Sequence, residues 1–335
     1  MTASSQLRVV AIGGGTGLST LLRGLKRYTA APPGTLPVEG APPCLIRDLS
    51  AIVTVTDDGG SSGRLRDDLN MLPPGDVRNC MVALSEDEDL LSQLFQHRFA
   101  HGDLEGHSFG NLFLAALTEI GGDFAQAVQA GSQILATRGR IYPSTTANAR
   151  LSARMLDGSL VQGETNITAS KQTIAELMLS PSDAPPLPGT LDAIAAADLI
   201  TLGPGSLYTS LITNLLVRGI PEALAASQAT RVYICNLMTQ ANESLGLTAA
   251  QHIEKILDHA RSQIFDYALI NTAPIRPATQ EQYAREGQSP IVADLDRIRA
   301  LGVEPITGNF VHEGDVLRHS YDVLAETVLH LALRR

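Results

Sequence analysis

Leu7–Ile12 (LRVVAI) is a short apolar, β-branched run that meets glycines at once and then gives way to a helical pattern from Leu18 to Tyr28. Strand, glycine turn and helix in that order open a βαβ unit. Ser50–Thr56 (SAIVTVT) predicts a second strand. Neither run alternates apolar with polar residues, so both strands are expected to be covered on two faces, as in a parallel sheet.

Thr29–Arg47 holds five prolines and predicts a surface loop. The polar stretch DDGGSSGRLRDDL after Thr56 also predicts a loop, and Asp76 is placed to cap a helix from Val77 to about Ser85. Helical patterns follow at 90–99, 112–120 and 124–135. Asp157-Gly158, between alternating runs in Arg150–Glu164, predicts a hairpin. Ser180–Gly189 is a second proline-rich loop. The βα rhythm then returns: a strand at Asp198–Leu202, a helix to about Val217, strands at Arg231–Cys235 and Ile264–Asn271 with a helix at Thr248–Arg261 between them, and a closing amphipathic helix at Tyr321–Leu333. The expected architecture is one α/β domain over residues 1–335. Its frame is a doubly wound, mainly parallel, Rossmann-like sheet. Residues 86–190 are expected to form a mostly helical insertion containing the hairpin.

Composition narrows the function more than the fold. The net charge of -10 argues against a broad nucleic-acid footprint, which needs clustered Lys and Arg. A nucleotide remains compatible, since a few backbone N–H groups and one or two Arg suffice locally. The three cysteines are far apart and form no CxxC pair, which fits a reducing compartment. Met1–Arg8 does not read as a signal peptide, and no apolar stretch approaches a membrane span, so a cytoplasmic location is expected.

Chemistry concentrates in loops at predicted strand ends. Gly13, Gly14, Gly15, Thr16 and Gly17 separate the first strand from its helix, where glycines let the backbone approach a phosphate and the helix start offers free N–H groups. No Lys follows, so this is not a Walker-type loop, and Leu18 takes the third glycine position of GxGxxG. Gly203, Gly205 and Ser206 repeat the arrangement after a later strand, with Thr209 as a further hydroxyl. Asp57 and Asp58 follow the second strand. Such residues can bond a ribose, hold Mg²⁺ against phosphate oxygens, or simply make a solvated turn. Arg64 and Arg66 offer bidentate phosphate contacts. Asn79 lies on the first turn of the helix after Asp76. Gly106-His107-Ser108-Phe109-Gly110 matches GxSxG but lacks the buried strand of a nucleophile elbow, so Ser108 and Asn111 read as a helix start that meets a ligand. Asn236 lies just beyond a strand and can touch a base or sugar.

Taken in order, IGGGTGLS, TDDGGSSGRLR, PPGDVRNC, GHSFGNL and GPGSLYTS resemble the gluconeogenesis factor family, the YvcK-like branch of the 2-phospho-L-lactate transferase (CofD-like) superfamily. The resemblance runs from Val9 to the final helix. The longer Thr29–Arg47 segment is a departure from it. It implies a CofD-like fold and binding of a UDP-sugar such as UDP-N-acetylglucosamine. It also implies a role in cell shape, cell-wall precursor supply and growth on gluconeogenic carbon. The transferase relatives act on a nucleotide-diphosphate donor with Mg²⁺, and their metal-binding aspartate falls on Asp57 or Asp58. Tyr283 and Arg318 are polar anchors near the C-terminus, and Arg318 is suited to a diphosphate. The expected partners are a UDP-sugar or related nucleotide diphosphate and, as an assembly, a homodimer, with no nucleic acid and no membrane span.

Overall fold

The structure is a computed structural model, and it describes residues 6–30, 40, 42–86, 90–170 and 172–334. Much of the proline-rich segment within Thr29–Arg47 therefore lies outside the described residues. Twelve strands are present among the described residues: β1 (Leu7–Gly13), β2 (Ile46–Val53), β3 (Arg140–Pro143), β4 (Arg150–Met155), β5 (Leu160–Gln162), β6 (Ile174–Ser180), β7 (Leu199–Leu202), β8 (Thr230–Ile234), β9 (Tyr267–Asn271), β10 (Glu304–Gly308), β11 (Val311–Glu313) and β12 (Leu317–His319). Seven form a parallel sheet in the order β10-β9-β8-β7-β1-β2-β3. The α/β, Rossmann-like class is the one the sequence predicts.

Apolar residues on both faces of the sheet explain the missing alternation. In β1, Val9 and Ala11 enter one core while Val10 and Ile12 enter the other. Helix α1 (Gly15–Lys26) seals the first core with Leu18, Leu21, Leu22 and Leu25, spaced as one helical face. The chain runs from β1 outward to β2 and β3, then returns to β7 on the other side of β1. The strand order therefore reverses between β1 and β7, and a crevice at the carboxyl ends of strands at such a reversal is where open α/β sheets bind ligands.

Two expectations change. The segment Gly60–Leu69, read as a polar loop, is helix α2. Its Gly and Ser content disguised it, but Ser61, Ser62, Gly63, Leu65 and Arg66 are buried, so packing overrides weak propensity. The span 86–190 is not one insertion. Helices α3 (Gly75–Leu84), α4 (Leu90–Gln96), α5 (Phe109–Gly121) and α6 (Phe124–Ile134) lead to β3, which belongs to the main sheet. Beyond it, β4, β5 and β6 form a separate antiparallel sheet, with the expected turn at Asp157-Gly158 joining β4 to β5.

Arg66 ties the two sheets together and is not a phosphate ligand. It is 1% exposed, and its guanidinium donates to Asn148 Oδ1 at 2.7 Å, the Thr56 carbonyl at 3.2 Å and the Ala149 carbonyl at 2.5 Å. Replacement by Met keeps the bulk and takes the donor away from two buried carbonyls, those of Thr56 and Ala149. Arg66→Met is expected to lower stability by about 2–3 kcal/mol in urea denaturation. A wild-type midpoint would show that these bonds contribute little.

Candidate functional site

The two glycine loops leave β1 and β7, the neighbouring strands at the reversal. They pack backbone to backbone. A Cβ on Gly17 would lie 2.3 Å from the Pro204 carbonyl oxygen, and one on Gly205 would lie 3.5 Å from the Gly14 carbonyl oxygen. Gly15 has φ +61°, a left-handed conformation that favours glycine. The resulting cleft, about 210 Å³, is lined by Gly14, Gly15, Thr16, Gly17, Gly205, Ser206, Asn236, Tyr283 and Arg318, all expected from the sequence. Gly13 and Gly203 stand just behind it. The Gly13 carbonyl accepts from Thr54 N–H at 3.0 Å, and Gly203 N–H donates to the Ile12 carbonyl at 3.0 Å.

The loops are not equivalent anion sites. In the first, Gly14 is the N-cap and supplies no side-chain acceptor, so the Thr16 and Gly17 N–H groups at the start of α1 have no acceptor within the helix. In the second, side chains of the segment after β8 take the donors. Asn236 pairs with the Gly205 peptide in both directions, accepting its N–H at 3.2 Å and donating to its carbonyl at 2.8 Å. Gln240 donates to Ser206 Oγ at 2.9 Å. Glu243 accepts from Tyr208 N–H at 3.2 Å and from Thr209 Oγ1 at 2.8 Å. Asn236 is thus a brace for the second loop.

The opposite wall rests on a small apolar cluster of Leu237, Met238 and Ile275, against which Tyr283, Val311 and Leu317 pack. Arg318 is exposed and has no hydrogen bond or ion pair among the described residues. Next to it, His319 Nε2 donates to the Cys235 carbonyl at 3.1 Å, and burial holds its pKa at about 4, so the ring is neutral and anchors β12.

The carboxylates lie on the far side of the first loop. Asp76 is not the cap of α3; Pro74 holds that position. A Cβ on Gly14 would lie 2.7 Å from Asp76 Oδ2, and burial raises the Asp76 pKa to about 6, against the Gly15 N–H that favours its charge. Asp57 and Glu164 share a second hollow of about 340 Å³ with Thr165 and Thr168. Burial and then the neighbouring Asp57, Asp76 and Glu243 push Glu164 up to about 9. Asp58 is committed elsewhere: its oxygens accept from Glu164 N–H at 2.9 Å, Thr165 N–H at 2.8 Å and Thr165 Oγ1 at 2.7 Å, capping the helix Glu164–Ala169. Asp57 Oδ1 accepts from Gly59 N–H at 2.9 Å, and its Oδ2 makes no hydrogen bond among the described residues.

Four other expected residues stand away from the cleft. Arg64 donates to the Glu105 carbonyl at 2.8 Å and is exposed. Ser108 caps α5 and accepts from Arg78 at 2.5 Å, while Arg78 also donates to Asn79 Oδ1 at 2.7 Å. Asn111 donates to Ser61 Oγ at 3.1 Å, and His107 Nδ1 lies 3.1 Å from the same oxygen. These form a buried polar layer beneath α2. Sequence reasoning missed Thr20, Ser210, Gln240 and His319 in the cleft. Only their spacing from the glycine motifs and from Arg318 signals them.

A larger cavity, about 1090 Å³, lies between α6 and the edge strand β3. Its two charged residues are engaged, Asp123 in capping α6 and Arg140 beside Asp48. Convergent donors at the reversal, not volume, locate the site.

The 2-phospho-L-lactate transferase CofD family model matches residues 9–311. The gluconeogenesis factor of Halalkalibacterium halodurans is 48% identical over 96% of this chain and 95% of its own. That of Bacillus subtilis is 45% identical over 97% and 98%. The crystal structure of a UPF0052 family protein from Bacillus halodurans superposes with a TM-score of 0.90 at 46% identity, covering 97% of this chain and 99% of that one. On sequence and fold together, the chain belongs to the CofD family and, within it, to the gluconeogenesis factors.

Proposed function

We propose that the chain is a regulatory protein that binds a nucleotide sugar of the UDP-N-acetylglucosamine class, linked to cell shape, cell-wall precursor supply and growth on gluconeogenic carbon. The observation that carries the reading is one cleft lined both by Thr16 and Gly17, whose N–H groups the helix leaves unclaimed, and by Tyr283 and Arg318, whose side chain has no partner among the described residues. The N–H groups and the guanidinium suit a diphosphate, and the Tyr283 ring suits a base. At about 210 Å³ the cleft is smaller than the ~300–1,000 Å³ of a typical whole-ligand pocket, so it suits the diphosphate and leaves the flanking groups more exposed. Calorimetric titration with UDP-N-acetylglucosamine is expected to give saturable binding. Absence of heat with this and other UDP-sugars overturns the reading.

A transferase reading has its own support in Asp57, Asp76 and Glu164 beside the first loop. Among the described residues no group of three or more His, Cys, Asp or Glu is arranged to hold a metal by itself. A free Asp57 oxygen nevertheless suits Mg²⁺ shared with substrate phosphates. Asp57 would hold the ion and Asp58 would not. The ion would neutralise phosphate charge that Asp57 and Asp76 otherwise repel. Turnover of a nucleotide-diphosphate donor that needs Mg²⁺ and is lost in Asp57→Asn would favour this reading over simple binding.

A further inference from the structure

We propose that Asn214 is a positioning residue that locks the two glycine loops into one diphosphate cradle, an inference that rests on the nucleotide-sugar reading. Asn214 follows the π-helical turn Leu207–Ile212 that continues the second loop, in the short helical stretch Thr213–Leu215. It is fully buried. Its Nδ2 donates to the Gly13 carbonyl at 3.2 Å, 201 residues away in sequence, and to the Ser210 carbonyl at 2.7 Å. One amide thus bridges the last residue of β1 to the helix behind Gly205.

The choice of residue is costly for stability alone. Asn214 Oδ1 is buried with no partner among the described residues, and an orphaned acceptor costs about 1–3 kcal/mol. Its chain neighbours Leu211, Ile212 and Leu215 are all buried in the apolar core. A leucine of similar size would fill the space without an unpaired oxygen. What it could not supply is the pair of donated hydrogens. The Gly13 carbonyl also takes Thr54 N–H, so the end of β1 is held by the residue after β2 on one side and by the helical stretch after β7 on the other. That bond fixes where the N–H groups of Thr16 and Gly17 begin. The π-turn lets the amide reach Gly13 while Gly205 stays against Gly14, and such turns recur at functional sites.

The test uses the full chain with Asn214→Leu and Asn214→Ala. Calorimetry with UDP-N-acetylglucosamine gives the affinity, saturation-transfer NMR with uridine reports the base contact, and thermal denaturation reports stability. The expected result is at least a tenfold weaker Kd for the UDP-sugar, an unchanged uridine signal and a melting temperature no lower than wild type for Asn214→Leu. A Kd within twofold of wild type overturns the proposal, as does parallel loss of the uridine signal. Failure of both variants to fold also overturns it, because Asn214 would then be a structural residue. If the wild type binds no UDP-sugar, the nucleotide-sugar reading itself fails, which is a different outcome from wild-type binding that the variants share.

Discussion

Gly17→Ala is expected to remove nucleotide-sugar binding, weakening Kd by more than about 100-fold, while Gly13→Ala stays within a fewfold of wild type. The contrast comes from what each new methyl would meet. At Gly17 it would lie 2.3 Å from the Pro204 carbonyl oxygen, 2.6 Å from its carbon and 3.0 Å from Gly205 N. All three are backbone atoms, so no side chain can swing aside. The two loops must separate, and the cradle between them opens. At Gly13 the nearest atoms are Leu18 Cβ at 3.5 Å, Leu211 Cδ2 at 3.6 Å and the Pro204 oxygen at 3.9 Å, which are ordinary contacts. Neither glycine has a positive φ, so backbone strain does not confuse the comparison. Overpacking of this kind costs about 1–3 kcal/mol, so Gly17→Ala is expected to fold with a lowered melting temperature. Titration and thermal denaturation of both variants check the result. A Gly17→Ala protein that binds and melts like wild type would mean that the loops do not meet as described.

That contact also shows what the sequence could and could not reveal. The glycine loops were legible because glycine after an unbroken apolar run has few other uses, and both fall at strand ends of the sheet. The residues around them were partly legible. Tyr283 and Arg318 reach the cleft, although they lie 77 and 112 positions beyond the second loop's last member, Ser206. The two aspartates are indistinguishable in the sequence. Asp57 and Asp58 are adjacent and chemically alike, yet Asp58 caps a helix 106 residues on and Asp57 keeps a free oxygen. No local pattern distinguishes them, because the partner that decides is remote. The same holds for Asn236, whose amide serves the Gly205 peptide 31 residues away. Helix α2 was read as a loop because its propensity is poor, and it is burial that makes it a helix. Side chains that hold loops in place, Asn214 above all, leave no composition or spacing signal.

Arg318→Ala is expected to weaken UDP-sugar binding about 10- to 150-fold without changing the melting temperature. A guanidinium facing a diphosphate makes charge-assisted hydrogen bonds worth about 1.5–3 kcal/mol, and each 1.4 kcal/mol is about tenfold in affinity. Stability should not follow, because the Arg318 side chain is exposed and bonds to nothing among the described residues. Its neighbours hold it in place instead. Leu317 packs into the cluster of Leu237, Met238 and Ile275, and the neutral His319 ring donates to the Cys235 carbonyl. Arg318→Lys should recover only part of the affinity, since an ammonium cannot offer the planar fork that matches two phosphate oxygens. Salt gives an independent signature. Wild-type affinity should fall as ionic strength rises, and the slope should flatten in Arg318→Ala, because an exposed cation–phosphate contact is screened within about 10 Å at 0.1 M salt. Titrations of the three proteins at two salt concentrations decide it. Equal Kd values for wild type and Arg318→Ala would move the diphosphate off this wall and onto the helix start of α1 alone. The cleft would then lose the one feature that separates a diphosphate site from a general anion site.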